Sequence, residues 1–418
     1  MYKNIFLTGL LIFLCTGLFS QDVDYARSTI ATLASEKMHG RGYVKKGELK
    51  AAKFIRDEFK NAGLKPLLDD YFQEFDININ TLPSKIDLSI NGKELKAGTE
   101  YMVSASSPSI KGSFEVIYFN SDEADKRELL DFYAENDLSD KFLLVAGKLK
   151  DSIFKYRPEN LAGLLLYAHK KLIWRVSDAY QVSPFPILYL KIEVAPEKIR
   201  EVDIKLKSKF IEDYETRNVM AYVPGKKNPE KFIFFTAHYD HLGRMGRDVY
   251  FPGANDNASG TAMIMDLARH FSKENNEPDY SVGFIAFGGE EAGLLGSRYC
   301  SEHPPTDLEN IAFLVNLDMV GSGSDGITIV NGKVLPDAFQ AFKEINDEKS
   351  YLKSVKARGE SCNSDHCMFY KQGVPAVFIY TRGKEFMEYH NPDDRADRLP
   401  LTEYEDLFLL LVDFVNSF

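Results

Sequence analysis

A single tryptophan and four cysteines stand among 418 residues, and no basic run interrupts a chain whose formal net charge is −11. The missing basic run excludes a nucleic-acid binder that works by neutralising phosphates with Lys and Arg. Beyond the first twenty residues there is no apolar stretch of the ~20 residues that a membrane span requires. Nor is the composition that of a disordered or fibrous chain, since 44% of residues are apolar and 27% charged. The remaining classes are globular, and the length suits one large domain or two ordinary ones.

The first twenty residues stand apart. Lys3 precedes an apolar run from Ile5 to Phe19, and Ser20-Gln21 follows. A charged start, a short apolar stretch and a small residue at the cut predict a signal peptide over 1–20. Leu14 before Cys15 is not the small residue of a lipidation site. The expected mature protein is exported, periplasmic or secreted, with no membrane span after signal removal. It keeps Cys300, Cys362 and Cys367, of which the last two flank Asn363-Ser364-Asp365-His366 and can close a small loop.

Apolar residues at helical spacing (Ala26, Ile30, Leu33; then Ala51, Ala52, Ile55, Phe59) predict helices over 22–66, broken at Gly40-Arg41-Gly42. From 71 to 215 short strand-like runs alternate with polar loops, and a helix is expected between the runs LSDKFLLVAGKL and NLAGLLLYAHKK. The expected organisation is a signal peptide at 1–20, a helical part of the main domain at 21–70, an inserted β-rich module at 71–215 and a catalytic core at 216–418. In that core, apolar strands alternate with helices. This predicts an α/β fold with a mixed, mostly parallel sheet and helices on both faces.

The core strands end in chemistry. KFIFFTAHYDH reads as a buried strand whose end carries His238, Asp240 and His241. Asp256 precedes a helix, Glu290-Glu291 follow a second strand, Asp318 a third, and His390 the last. Singly, each has an ordinary explanation: Asp256 as a helix cap, the Glu pair at a helix start, Asp318 in a turn, His390 on the surface. Together they sit where open α/β sheets bind ligands. Carboxylates do not gather at the end of a buried sheet without compensating charge. Imidazole with carboxylate suits zinc.

HYDH, GANDNASGTA, FGGEEAGLLGS, LDMVG and EYHNPDD, in this order, resemble the co-catalytic di-zinc exopeptidases. That family includes bacterial leucine-type aminopeptidases, glutamate carboxypeptidase II and, more distantly, glutaminyl cyclases. The resemblance covers Asn218 to the end and the N-terminal helices, and it implies a zinc exopeptidase (phosphorylase-hydrolase-like) sandwich. The middle segment is similar in position to a protease-associated insert. The resemblance implies two zinc ions: His238 and Asp318 on one, Glu291 and His390 on the other, and Asp256 bridging. Asp240 is implied to orient His238 and Glu290 to be the general base. Ser364-Asp365-His366 resembles a pocket-lining segment, with His366 itself lining the pocket. His241 is read as a bystander, Arg244 and Arg247 as part of a solvated loop, and His270 and His303 as surface residues.

The expected function is an aminopeptidase acting on peptides. A carboxypeptidase or dipeptidase needs cations aimed at a C-terminal carboxylate, for which Arg244, Arg247 and Arg358 are candidates. A glutaminyl cyclase works with one zinc, and a receptor-like relative would have lost ligands or the base.

Overall fold

Alternate side chains of the strand Asn228–His238 point to opposite faces of a sheet, and both faces are covered. Ile233, Phe235 and Ala237 enter one apolar layer, Phe232 and Phe234 the other. This is why the segment reads as an unbroken apolar run and not as an alternating one. Each fully buried aromatic contributes about 1.5–3 kcal/mol. In this computed structural model residues 22–121, 125–146, 158, 160–168 and 170–418 are described. The expected signal peptide, Cys15 and His169 lie outside them, as does nearly all of the helix expected after residue 149.

The nine-stranded main sheet runs Lys65–Pro66, Lys209–Val223, Tyr280–Phe287, Asn228–His238, Ile311–Leu317, Ala376–Thr381, Ile327–Val330, Val355–Ala357, with Phe72–Thr81 also on Lys209–Val223. Its four central strands, from Tyr280–Phe287 to Ala376–Thr381, are mutually parallel. The flanking strands Lys209–Val223 and Ile327–Val330 pair antiparallel to them, so the sheet is mixed as expected. Helices Val23–Leu33, Gly47–Asn61, Gly260–Phe271 and Tyr404–Asn416 bury their apolar faces on one side. Helices Leu295–Glu302 and His366–Lys371 cover the other through Cys300 and Phe369.

A second, eight-stranded sheet is built from residues 87–206, with the parallel run Ile110–Asn120, Phe142–Ala146, Gly163–Tyr167, Ile187–Leu190 at its centre. Two long strands connect the sheets. Phe72–Thr81 pairs antiparallel with Lys209–Val223 from Phe72↔Val219 to Thr81↔Lys209. The strand Lys209–Val223 therefore begins seven residues before the core boundary expected at 216. Its first half is a ribbon with polar, exposed positions, so no apolar run marks it. Among the described residues no helix is long and apolar enough to cross a membrane.

Candidate metal centre at the strand ends

Each central parallel strand delivers a polar side chain at its carboxyl end. Asn228–His238 ends on His238, Tyr280–Phe287 runs through two glycines to Glu290-Glu291, Ile311–Leu317 is followed by Asp318, and Ala376–Thr381 leads on to His390. Asp256 comes from the irregular turn Ala254–Ser259 that opens the helix Gly260–Phe271. Gly253, just before it, sits at φ +59, and a Cβ there would meet the Asp256 carbonyl at 2.2 Å and the His241 ring at 2.4 Å. Only glycine fits that approach.

These ends converge. The Asp256 carboxylate stands between two imidazoles, Oδ1 3.4 Å from His238 Nε2 and Oδ2 3.0 Å from His390 Nε2. His238 Nε2 is 3.3 Å from Asp318 Oδ1 and 4.0 Å from Glu290 Oε2. His390 Nε2 is 3.3 Å from Glu291 Oε2. The cluster forms the floor of a cavity of about 450 Å³. Three residues near it, Leu294, Met319 and His390, hold positive φ values of 59°, 60° and 51° without being glycine. Such strained backbone persists where surrounding structure enforces it.

Asp240 lies one layer behind. Its carboxylate accepts the backbone N–H groups of Glu290 at 3.0 Å and Glu291 at 3.4 Å. His238 Nδ1 donates to the Asp240 carbonyl oxygen at 3.1 Å, while the nearer carboxylate oxygen is 3.9 Å away. A carbonyl only accepts, so Nδ1 carries a proton, and Nε2 is the ring atom turned toward Asp256 and Asp318. The orienting contact therefore comes from the Asp240 main chain, and the side chain fixes the Glu pair.

Burial raises Glu290 well above the ordinary carboxylate value, and Glu291, Asp365 and Asp318 push the same way against His238. Burial also acts on Glu291, but the imidazoles of His390 and His241 outweigh it and hold that carboxyl down to about 2. Burial would lower His390, yet Glu291 and Asp256 hold it up to about 11. Adjacent glutamates are thus pushed in opposite directions, the pattern that separates a proton carrier from a fixed anion.

The donor set fits zinc. Two groups of three have donor atoms within 4.8 Å of one another: His238, Glu290 and Asp318, and His241, Asp256 and Glu291. His390 Nε2 joins the second at 3.0 Å from Asp256 and 3.3 Å from Glu291. Three protein donors with a position left open is the count of catalytic zinc sites. Asp256 belongs to the second group, and its Oδ1 also lies 3.4 Å from His238 of the first.

Several contacts have no counterpart in the sequence reading. His241 Nδ1 lies 2.7 Å from Glu291 Oε1, so it is no bystander. Ser364 donates to Asp318 Oδ2 at 3.0 Å and accepts from Asn316 Nδ2 at 2.8 Å. Asp394 accepts the N–H groups of Asn255 and Asp256 at 2.8 and 3.0 Å. Arg41, wholly buried, donates to the carbonyls of Tyr239, Leu33, Pro252, Gly253 and Asp256 at 2.7–3.3 Å. Its place between two glycines, read as a helix break, and the Asp-Asp pair after His390 were the available signals. For Trp174, whose N–H donates to the His390 carbonyl at 2.9 Å, there was none.

Other expectations need correcting. His366 does not line the cavity; it is fully buried, 5.5 Å from the Phe378 ring, while neighbouring Cys362 and Asn363 do line it. The small loop expected between Cys362 and Cys367 is closed by a disulfide, in agreement with the sequence, and Cys300 is a buried thiol. Arg244 is buried against His39 and the Arg247 carbonyl and is not solvated. His270 is wedged edge-on between Phe271 and Phe408. Tyr389 both stacks on His390 at 3.8 Å and faces the cavity, as does Arg358.

Residues 218–415 match the sequence profile of peptidase family M28. Aminopeptidase YwaD of Bacillus subtilis (strain 168) is 27% identical over 225 residues, 51% of this chain and 47% of that protein. A probable leucine aminopeptidase of Arthroderma otae is 25% identical over 265 residues, 57% of this chain and 71% of that one. The chain thus spans about half the length of the first of these relatives. The solved structure of BSAP, a zinc aminopeptidase from Bacillus subtilis, shares the fold: TM-score 0.72, 22% identity, 95% of this chain and 94% of that chain covered.

Proposed function

We propose, from the membership of residues 218–415 in peptidase family M28, that this chain is a zinc-dependent aminopeptidase that removes N-terminal residues from peptides. The observation that carries the reading is the Asp256 carboxylate standing between His238 and His390, with Asp318 and Glu291 flanking. In this reading His238 and Asp318 would hold one zinc, His390 and Glu291 would hold a second, and Asp256 would contribute to both. Two zinc ions, when bound, supply Lewis acidity to the scissile carbonyl and to water.

The chain's own groups do the rest. Glu290, kept off the ligand set and raised by burial, takes a proton from the attacking water and delivers it to the leaving amine. A C–O bond forms, the C–N bond breaks, and Glu290 ends as it began. Asp240 is a positioning residue that fixes the backbone of both glutamates and, through its carbonyl, the His238 ring. The chain divides, in the same proposal, into a signal peptide at 1–20, a helical start at 21–70, an inserted module at 71–215 and a catalytic core from 216. Export is part of it, on the pattern of the first twenty residues.

The test is a panel of free-amine aminoacyl-nitroanilides and N-blocked peptides. Cleavage of the free-amine substrates, abolished by a chelator, restored by zinc and lost in Glu290→Gln, is the expected result. Cleavage of blocked peptides from a free C-terminus would make it a carboxypeptidase, and cyclisation of N-terminal Gln a glutaminyl cyclase. Full activity in metal-free protein would sink the mechanism.

A further inference from the structure

The cavity above the carboxylate cluster has two arginines in its wall, and they come from opposite ends of the chain's architecture. Arg358 follows the edge strand Val355–Ala357 of the main sheet, its N–H donating to the Ile329 carbonyl at 2.8 Å and its own carbonyl accepting from Lys333 at 3.1 Å. Arg175 comes from the stretch 171–177 between two strands of the second sheet. That stretch is pinned next door: Trp174 stacks on Phe251 at 4.8 Å, its indole N–H donates to the Val103 carbonyl at 2.6 Å and its backbone N–H to the His390 carbonyl. Lys171 pairs with Glu388 and Asp393 on the loop that carries His390. Both guanidinium groups are therefore mounted on fixed backbone at the mouth of the site.

Among the described residues neither arginine is in an ion pair, whereas Arg217, Arg395 and Arg56 each have a carboxylate partner. The charge of the cavity gives that freedom a meaning. With two divalent cations bound, the imidazoles neutral and Asp256, Glu290, Glu291 and Asp318 ionised, the −4 of the carboxylates would be cancelled and the two arginines left over as +2. Most of the remaining wall is apolar or aromatic, with Leu294, Met319, Phe378, Tyr380 and Tyr389, beside the neutral polar Ser177 and Asn363. An arginine fork matches a carboxylate in shape as well as in charge.

We propose that Arg175 and Arg358 make this site select peptides that carry a carboxylate beside the scissile bond. The proposal deepens the peptidase reading and rests on it. The carboxylate has two possible sources, an Asp or Glu side chain at the N-terminal residue or the free C-terminus of a dipeptide.

Two matched pairs separate them. Glutamyl- against glutaminyl-4-nitroanilide reports on the side chain, and leucyl-glycine against leucyl-glycinamide on the C-terminus. In the wild-type protein at least one pair is expected to favour its carboxylate member in kcat/KM by about tenfold, the size of one charge-assisted contact. In Arg175→Gln/Arg358→Gln that ratio should fall to near one, and the single variants show which arginine carries it. Ratios within twofold in both wild-type pairs, or a preference that survives the double substitution, overturn the proposal. Because each ratio is taken within one protein, a general loss of activity does not mimic the effect. If no substrate is cleaved the peptidase reading falls instead, and calorimetry on the zinc-loaded protein still decides the arginines. L-glutamate should then bind about tenfold tighter than L-glutamine, or leucyl-glycine tighter than leucyl-glycinamide, and lose that advantage in the double variant; equal affinities within both pairs contradict the proposal.

Discussion

His241 Nδ1 lies 2.7 Å from Glu291 Oε1, and both side chains are buried. The other oxygen of Glu291 faces His390, so one carboxylate is held between two imidazoles. His390 Nε2 is 3.0 Å from Asp256, and a His241 ring nitrogen lies within 4.8 Å of an Asp256 oxygen. His241 thus holds the carboxylate proposed to bind zinc, without lining the cavity.

Removing such an outer contact typically costs 10- to 100-fold in metal affinity. His241→Ala is expected to lose one equivalent of zinc on dialysis against a weak chelator and keep the other. Zinc content of the dialysed protein measures it; wild-type retention of both would return His241 to a packing role.

Arg41 ties five carbonyls from three segments, among them those of Gly253 and Asp256. Burial pulls its guanidinium down to about 10, within reach of the charges of Asp394 and Asp256, so it stays cationic at neutral pH. A lysine cannot fork over the same carbonyls. Arg41→Lys should lower unfolding free energy by roughly 3 kcal/mol, since hydrogen bonds to a buried charge are worth about 1.5–3 kcal/mol each. Urea denaturation checks this, and a change below about 1 kcal/mol would mean that water replaces the lost contacts.

The main-sheet strands and most of the strand-end residues are legible in the sequence for one reason. A strand covered on both faces is an apolar run, so the polar residue that ends it stands out, as His238 and Asp318 do. The residues behind them leave no such mark. Asp240 acts on His238 through a main-chain carbonyl, Arg41 bonds only carbonyls, and Ser364 reaches Asp318 across 46 positions. Pattern within a short window cannot show any of these. The apolar helix Tyr404–Asn416 is a plainer omission, because its LFLLLVDFV run was there to be read.

His270 gives a pH signature away from the metal centre. Burial between two phenylalanines, with Lys273 adding, lowers its imidazole to about 4. The folded protein therefore prefers the neutral ring more than the unfolded chain does. That stability is fully present above the unfolded value near 6.5 and is lost as pH falls through about 4. Between pH 7 and 4 the wild type should lose about 1–2 kcal/mol more than His270→Gln, after allowance for partial exposure. Parallel stability–pH curves for the two proteins would contradict the assignment.

Trp174 connects the second sheet to the His390 loop by a backbone hydrogen bond and by its ring on Phe251. Trp174→Ala should destabilise by about 3–5 kcal/mol, as aromatic truncations in a core do. If the stretch also positions His390, kcat should fall at temperatures where the variant is still folded. Trp174→Phe should restore part of it, and an unchanged kcat in folded Trp174→Ala would leave the residue a purely structural one.

The central claim is that Asp256 stands between two metal ions, and diffraction from zinc-soaked crystals at the zinc absorption edge tests it most directly. The prediction is two anomalous peaks about 3.5–4 Å apart, one beside His238 and Asp318, the other beside His390 and Glu291, with the Asp256 carboxylate between them. A single peak, or two that leave Asp256 uncoordinated, would contradict it.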